Sequence, residues 1–285
     1  MSRVSLTSKT LSVLMVSIFV GGVLSGCLGL DRRRAAYDAA REGNFHSQVI
    51  KTDFFDLFVS TRFSMPEQPL TIYIEGDGMA WINRYTLSKD PTPRNPLALK
   101  LANLDPSPNV AYMGRPCQYV EKFSRRNCKS AYWSKMRFSE EVIESTNQGI
   151  DQLKKLARAN AINLVGYSGG GAVAVLVAAR RDDVVGIRTV AGNLDHVAFT
   201  KHHRVTDLAG SLNPLDVAKR VKKISQFHFV GGRDKIVPDS IVSGFIRAEG
   251  RGACVKKKSV ASMKHADDWD EVWPRLMQLS MPVCQ

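Results

Sequence analysis

The chain has 285 residues, 44% of them hydrophobic, and a formal net charge of +13. That length and apolar content suit one α/β domain with a sizeable core, and the sequence shows no internal repeat or low-complexity tract. The charge raises nucleic-acid binding as an option, but the basic runs Arg125-Arg126, Lys222-Lys223 and Lys256-Lys257-Lys258 sit in no nucleic-acid motif. No nucleic-acid partner is expected; solvated surface charge is the default reading, and attraction to an anionic membrane face is the better functional one.

At the N-terminus, Arg3 and Lys9 precede the apolar run Leu11–Val20. A charged segment before a short apolar one reads as a secretory signal peptide, and the run is shorter than the roughly 20 residues of a spanning helix. Leu24-Ser25-Gly26-Cys27 follows and resembles the lipobox of bacterial lipoproteins. The resemblance implies that residues 1–26 are a signal peptide and that Cys27 is acylated; 27–47 then reads as a tether and first amphipathic turn, with Arg32-Arg33-Arg34 beside the anchor. Leu28, rather than Asp, implies by the same resemblance the periplasmic side of the outer membrane in a Gram-negative envelope. The membrane is thus an expected partner, reached through the N-terminal lipid.

Residues 48–63 alternate as early antiparallel strands, and 64–69 form a turn. Leu70–Ile74 reads as a buried strand leading into Glu75-Gly76-Asp77-Gly78. Residues 83–108 are Pro-rich and loop-like, with a short helix near Pro96–Asn103; Asn109–Met113 is a strand. In 139–159, Val142, Ile143, Ile150, Leu153 and Leu156 are spaced for an amphipathic helix. Then comes a strand over Ala161–Val165, the turn Gly166-Tyr167-Ser168-Gly169-Gly170, and an apolar helix beginning at Gly171. A strand near Gly186–Val190 is followed by an insertion at about 192–221. Phe227–Val230 is a further strand, running into Gly231-Gly232-Arg233-Asp234-Lys235-Ile236-Val237-Pro238. A last strand over Val255–Val260 precedes His265 and Trp269. Alternating strands and helices predict a mostly parallel sheet with helices on both faces.

Gly-x-Ser-x-Gly between strand and helix lifts a serine out as a nucleophile. Ser168, Asp234 and His265 occur in the chain order of α/β-hydrolases, each just past a strand, and from about Gln48 onward the chain resembles that superfamily. The resemblance implies an α/β-hydrolase domain over 48–285, with the insertion at about 192–221 as a short cap. His265 would take the proton of Ser168, and Asp234 would orient the imidazole. Asp195, after the preceding strand, is the rival acid. By the same resemblance, the oxyanion hole falls to the N–H of Gly169 and that of Asp77, with Gly78 the next candidate. Many family members have His-Gly where this chain has Glu75-Gly76, and Glu75 is left to brace the loop or tune the local field. His202-His203 are adjacent and have no carboxylate or thiol cluster around them, so neither metal nor cofactor is expected.

With Cys27 lipidated, four cysteines remain, which allow three disulfide connectivities. The nearest pairing is Cys117–Cys128, leaving Cys254 for Cys284. The sequence thus predicts a lipid-anchored serine hydrolase of the cell envelope. Its substrate would be a small-molecule or lipid-like acyl compound carrying a carboxylic ester, thioester or amide. The alternative is a binding or assembly lipoprotein on a hydrolase scaffold without turnover.

Overall fold

A computed structural model describes residues 32–121 and 125–284. Cys27 and the segment read as a signal peptide lie outside the described residues. None of the described helices is long and apolar enough to cross a membrane.

The main sheet has eight strands among the described residues. They are β1 (His46–Lys51), β2 (Asp56–Phe63), β3 (Leu70–Ile74), β6 (Asn109–Met113), β7 (Ile162–Tyr167), β8 (Val184–Val190), β9 (Ser225–Gly231) and β10 (Val255–Val260). Their spatial order is β1-β2-β6-β3-β7-β8-β9-β10. β1 and β2 pair antiparallel, as do β2 and β6; from β6 to β10 every neighbouring pair is parallel. A separate hairpin pairs β4 (Trp81–Asn83) with β5 (Thr86–Leu87).

Side-chain alternation sends the two halves of each strand to different cores. In β3, Leu70, Ile72 and Ile74 join one cluster, and Tyr73 joins the other. The first cluster is covered by α3 (Glu140–Ala157), α4 (Gly169–Ala178), α6 (Ala218–Val221) and α7 (Asp239–Glu249). The second is covered by α1 (32–42), α2 (Leu97–Asn103) and α8 (Trp269–Met277). Both faces are buried, which is why the central strands read as mostly apolar runs.

The amphipathic turn expected within 27–47 is the full helix α1, whose Ala36, Ala39 and Ala40 are buried at the i, i+3, i+4 spacing of one helix face. One expectation changes. In α3 the buried stripe runs Val142, Ile143, Ile150, Leu153, Ala157, and Leu156 is exposed.

Disulfides join Cys117 to Cys128 and Cys254 to Cys284, with Cα atoms 5.7 and 5.3 Å apart. The second fastens residue 284 to Cys254, just before the edge strand β10, and Ser225 Oγ at the start of β9 donates to Pro282 O at 2.7 Å. Lys256, Lys257 and Lys258 line that edge and are exposed, an arrangement that discourages pairing with another chain.

Candidate active site

The serine turn is fixed by close backbone packing. A Cβ at Gly166 would lie 2.4 Å from Gly170 O, and one at Gly170 would lie 2.2 Å from Ile74 O. Only glycine fits at either place. Ser168 itself sits at φ 52°, ψ −120°, a costly conformation for a residue with a side chain. Its N–H donates to Val190 O at 2.9 Å, and its carbonyl accepts from Gly171 and Asn193, both at 3.0 Å. These bonds hold the strained residue between β7 and α4.

Asp234 follows β9 and is buried. Its Oδ1 accepts the N–H groups of Ile236 and Val237, both at 2.8 Å. Its Oδ2 is 2.8 Å from His265 Nδ1. His265 Nε2 is in turn 2.8 Å from Ser168 Oγ. Because a carboxylate only accepts, Nδ1 carries the imidazole proton and Nε2 is left to accept from the serine hydroxyl. Tyr167 Oη donates to His265 O at 3.1 Å, and Trp269 Nε1 donates to the same carbonyl at 3.2 Å. This explains the tryptophan four residues after the histidine: it pins the histidine backbone. Asp195 lies elsewhere in the network. Its Oδ1 caps α5 (His196–His203) through the N–H groups of Val197 and Ala198 and accepts from Asn213.

The loop after β3 lies directly against the serine. A Cβ at Gly76 would fall 3.3 Å from Ser168 Cβ, and one at Gly169 would fall 2.1 Å from Asp77 Oδ1. The backbone N–H groups of Gly169 and Asp77 have no acceptor among the described residues. Gly78, at φ 64°, packs on Pro91, since a Cβ there would meet Pro91 O at 2.2 Å.

The two carboxylates of this loop have different fates. The Asp77 carboxylate lies between Arg137 Nη1 at 2.7 Å and Arg115 Nη1 at 3.2 Å. Burial pushes its pKa up, but the Arg137 and Arg115 charges outweigh that and hold it below the ordinary value. The trio carries a net positive charge beside the serine turn. Glu75 is buried beneath the loop. Its Oε1 accepts from Gly76 N–H at 2.9 Å, and its Oε2 accepts from Tyr112 Oη at 3.1 Å. Burial outweighs these bonds and raises its pKa to about 7. Arg115 and Arg137 were not legible in the sequence: they lie 38 and 60 residues from Asp77 and belong to no motif.

Ser168 and His265 open into a cleft of ≈ 1230 Å³. Residues 199–208 of the insertion form one wall with Phe199 and Leu208, as a cap would. The β4–β5 hairpin forms another wall, although that stretch was expected to be mostly loop. His203 Nε2 donates to Ile236 O at 2.7 Å. Among the described residues, no group of three or more His, Cys, Asp or Glu could hold a metal ion.

No protein-family model and no curated protein sequence matches the chain. Solved structures do. An acylaminoacyl peptidase of Pyrococcus horikoshii aligns with a TM-score of 0.58 at 15% identity, over 81% of this chain and 39% of its own. A puromycin-hydrolyzing peptidase of Mycobacterium tuberculosis aligns with a TM-score of 0.60 at 13% identity, over 83% and 38%. The chain thus spans about two fifths of these peptidases. An esterase of Pyrococcus furiosus aligns with a TM-score of 0.60 at 13% identity, over 83% of this chain and 91% of the esterase. With its mostly parallel eight-stranded sheet and helices on both faces, the chain has the α/β-hydrolase fold.

Proposed function

We propose that the chain is a serine hydrolase that cleaves a carboxylic ester through an acyl-enzyme, with Ser168 as nucleophile, His265 as general base and acid, and Asp234 as the positioning acid. One observation carries this: the unbroken Ser168–His265–Asp234 relay, with both contacts at 2.8 Å, set on a strained strand-to-helix turn. In the first step Ser168 Oγ attacks the acyl carbon and His265 Nε2 takes its proton. The tetrahedral oxyanion forms beside the N–H groups of Gly169 and Asp77, where the N-terminal end of α4 and the net positive Asp77–Arg115–Arg137 trio both favour negative charge. His265 then returns the proton to the leaving oxygen, and water repeats the sequence to free Ser168. The same route serves a thioester or an amide. Apolar walls at Met79, Leu87, Phe199 and Leu208 suit an acyl chain. The preference for an ester draws support from the extent of alignment, nearly the whole of the esterase against about two fifths of the peptidases.

The lipobox-like Leu24–Cys27 segment adds an envelope location, with Cys27 acylated and residues 1–26 removed. The activity is tested with p-nitrophenyl esters of increasing chain length. Turnover should be measurable and should fall by several orders of magnitude in Ser168→Ala. Equal turnover by the variant would remove Ser168 from the chemistry.

A further inference from the structure

The β4–β5 hairpin stands apart from the main sheet at the mouth of the cleft, and it displays apolar side chains to solvent. Trp81 is 43% exposed, Ile82 57% and Tyr85 87%. Of the four tryptophans, Trp133, Trp269 and Trp273 are buried, so Trp81 alone is exposed. Scattered exposed apolar residues are ordinary, but three within five residues of one short hairpin form a patch.

The exposed charge around the patch is mostly positive. Arg84, in the hairpin turn, and Arg94, Lys135 and Arg204 are exposed at the same cleft, and none forms an ion pair among the described residues. Arg84 Nη2 donates to Arg204 O at 3.3 Å, tying the hairpin to the chain after α5. Asp207 is the exposed carboxylate of the lining, and its Oδ1 accepts from Thr200 Oγ1 at 2.9 Å. The carboxylates of Glu75 and Asp77 lie below, buried or clamped by arginines.

We propose that this mouth docks directly on an anionic phospholipid surface, with the hairpin tip at headgroup level and the cleft opening toward the lipid. Tryptophan and tyrosine suit that depth because each has an apolar body and a polar tip. Flanking arginines and lysine reach lipid phosphates while their stems cover apolar surface. An apolar patch ringed by unpaired cations complements a surface that is apolar inside and negative at its face. The docking is distinct from N-terminal acylation, and it holds whether or not Ser168 turns over an ester.

Trp81 supplies its own reporter. The chain from Leu28 onward, which holds every described element and lacks both the apolar run Leu11–Val20 and Cys27, is titrated with phosphatidylglycerol vesicles whose acyl chains are brominated. Phosphatidylcholine vesicles brominated in the same way serve as the comparison. Trp81→Phe gives the background from the three buried tryptophans. The expected result is strong quenching on the anionic vesicles, absent from Trp81→Phe and much weaker on phosphatidylcholine. A cation near such a surface contributes about fivefold in affinity, so Arg84→Gln with Arg204→Gln should weaken vesicle binding by about 25-fold. Trp81, Arg84 and Arg204 are exposed, and fluorophosphonate labelling of the same samples reports separately on the serine site. Unmoved emission on anionic vesicles, or equal quenching on both lipids, overturns the proposal. So does a hairpin-dependent dimer by light scattering that excludes vesicle binding, because the patch would then be a contact between copies of the chain.

Discussion

Replacing Glu75 by glutamine should make the protein more stable at alkaline pH while changing little in acid. Burial raises the folded-state pKa of Glu75 from the ordinary 4.5 to about 7, and the bonds from Gly76, Tyr112 and Ala98 only partly offset it. The folded state therefore holds this proton more tightly than the unfolded chain. The stabilisation is complete below pH 4.5 and is lost as pH rises through about 7. At about 1.36 kcal/mol per pH decade, the span from 4.5 to about 7 corresponds to about 3 kcal/mol. Glutamine keeps the shape and the acceptor oxygen and cannot ionise, so the variant escapes the loss. Glu249, whose pKa burial likewise raises to about 7, affects both proteins alike and cancels in the difference. Urea unfolding of wild type and Glu75→Gln at pH 4.5, 7 and 9, with disulfides intact, measures this. The stability difference should grow by about 3 kcal/mol toward pH 9, or about 6–12 °C in Tm for a domain of this size. A difference that stays constant across that range would mean that Glu75 ionises in the folded state like an ordinary surface carboxylate, and the argument from burial would fail.

Three other outcomes are expected. Asp234→Asn should fold, because Oδ1 keeps its bonds to Ile236 and Val237, yet lose about 10⁴ in kcat through the wrong imidazole tautomer; activity within tenfold of wild type would free Asp234 from the relay. Arg137→Met leaves the Asp77 carboxylate short of one buried partner and should cost about 3–5 kcal/mol in urea unfolding; a loss under about 1 kcal/mol would show that Arg115 alone suffices. Cys27→Ser should block both precursor cleavage and incorporation of a labelled fatty acid, and normal labelling of the variant would place any lipid elsewhere.

Much of the fold was legible because the central strands are buried on both sides. β3 and β6 are mostly apolar, fully buried runs whose limits in the structure match those read from the sequence. The relay residues were legible as candidates because each follows a strand, with Ser168 and Asp234 beside glycines that backbone contacts require. What was missed has a different character. The β4–β5 hairpin is short and exposed, so no burial pattern marks it. α1 was legible only as a first amphipathic turn, because it buries alanines behind a run of arginines and small side chains give a weak apolar signal. The arginine clamp on Asp77 joins residues from three distant stretches, and only the folded chain brings them together.

The proposed catalysis is tested most directly by finding the nucleophile. Native protein is treated with a fluorophosphonate, digested and mapped by mass spectrometry. A single phosphonyl adduct on Ser168, absent after heat denaturation and absent from Ser168→Ala, is the predicted result. No adduct on native protein, or an adduct on another residue that persists in Ser168→Ala, would contradict it.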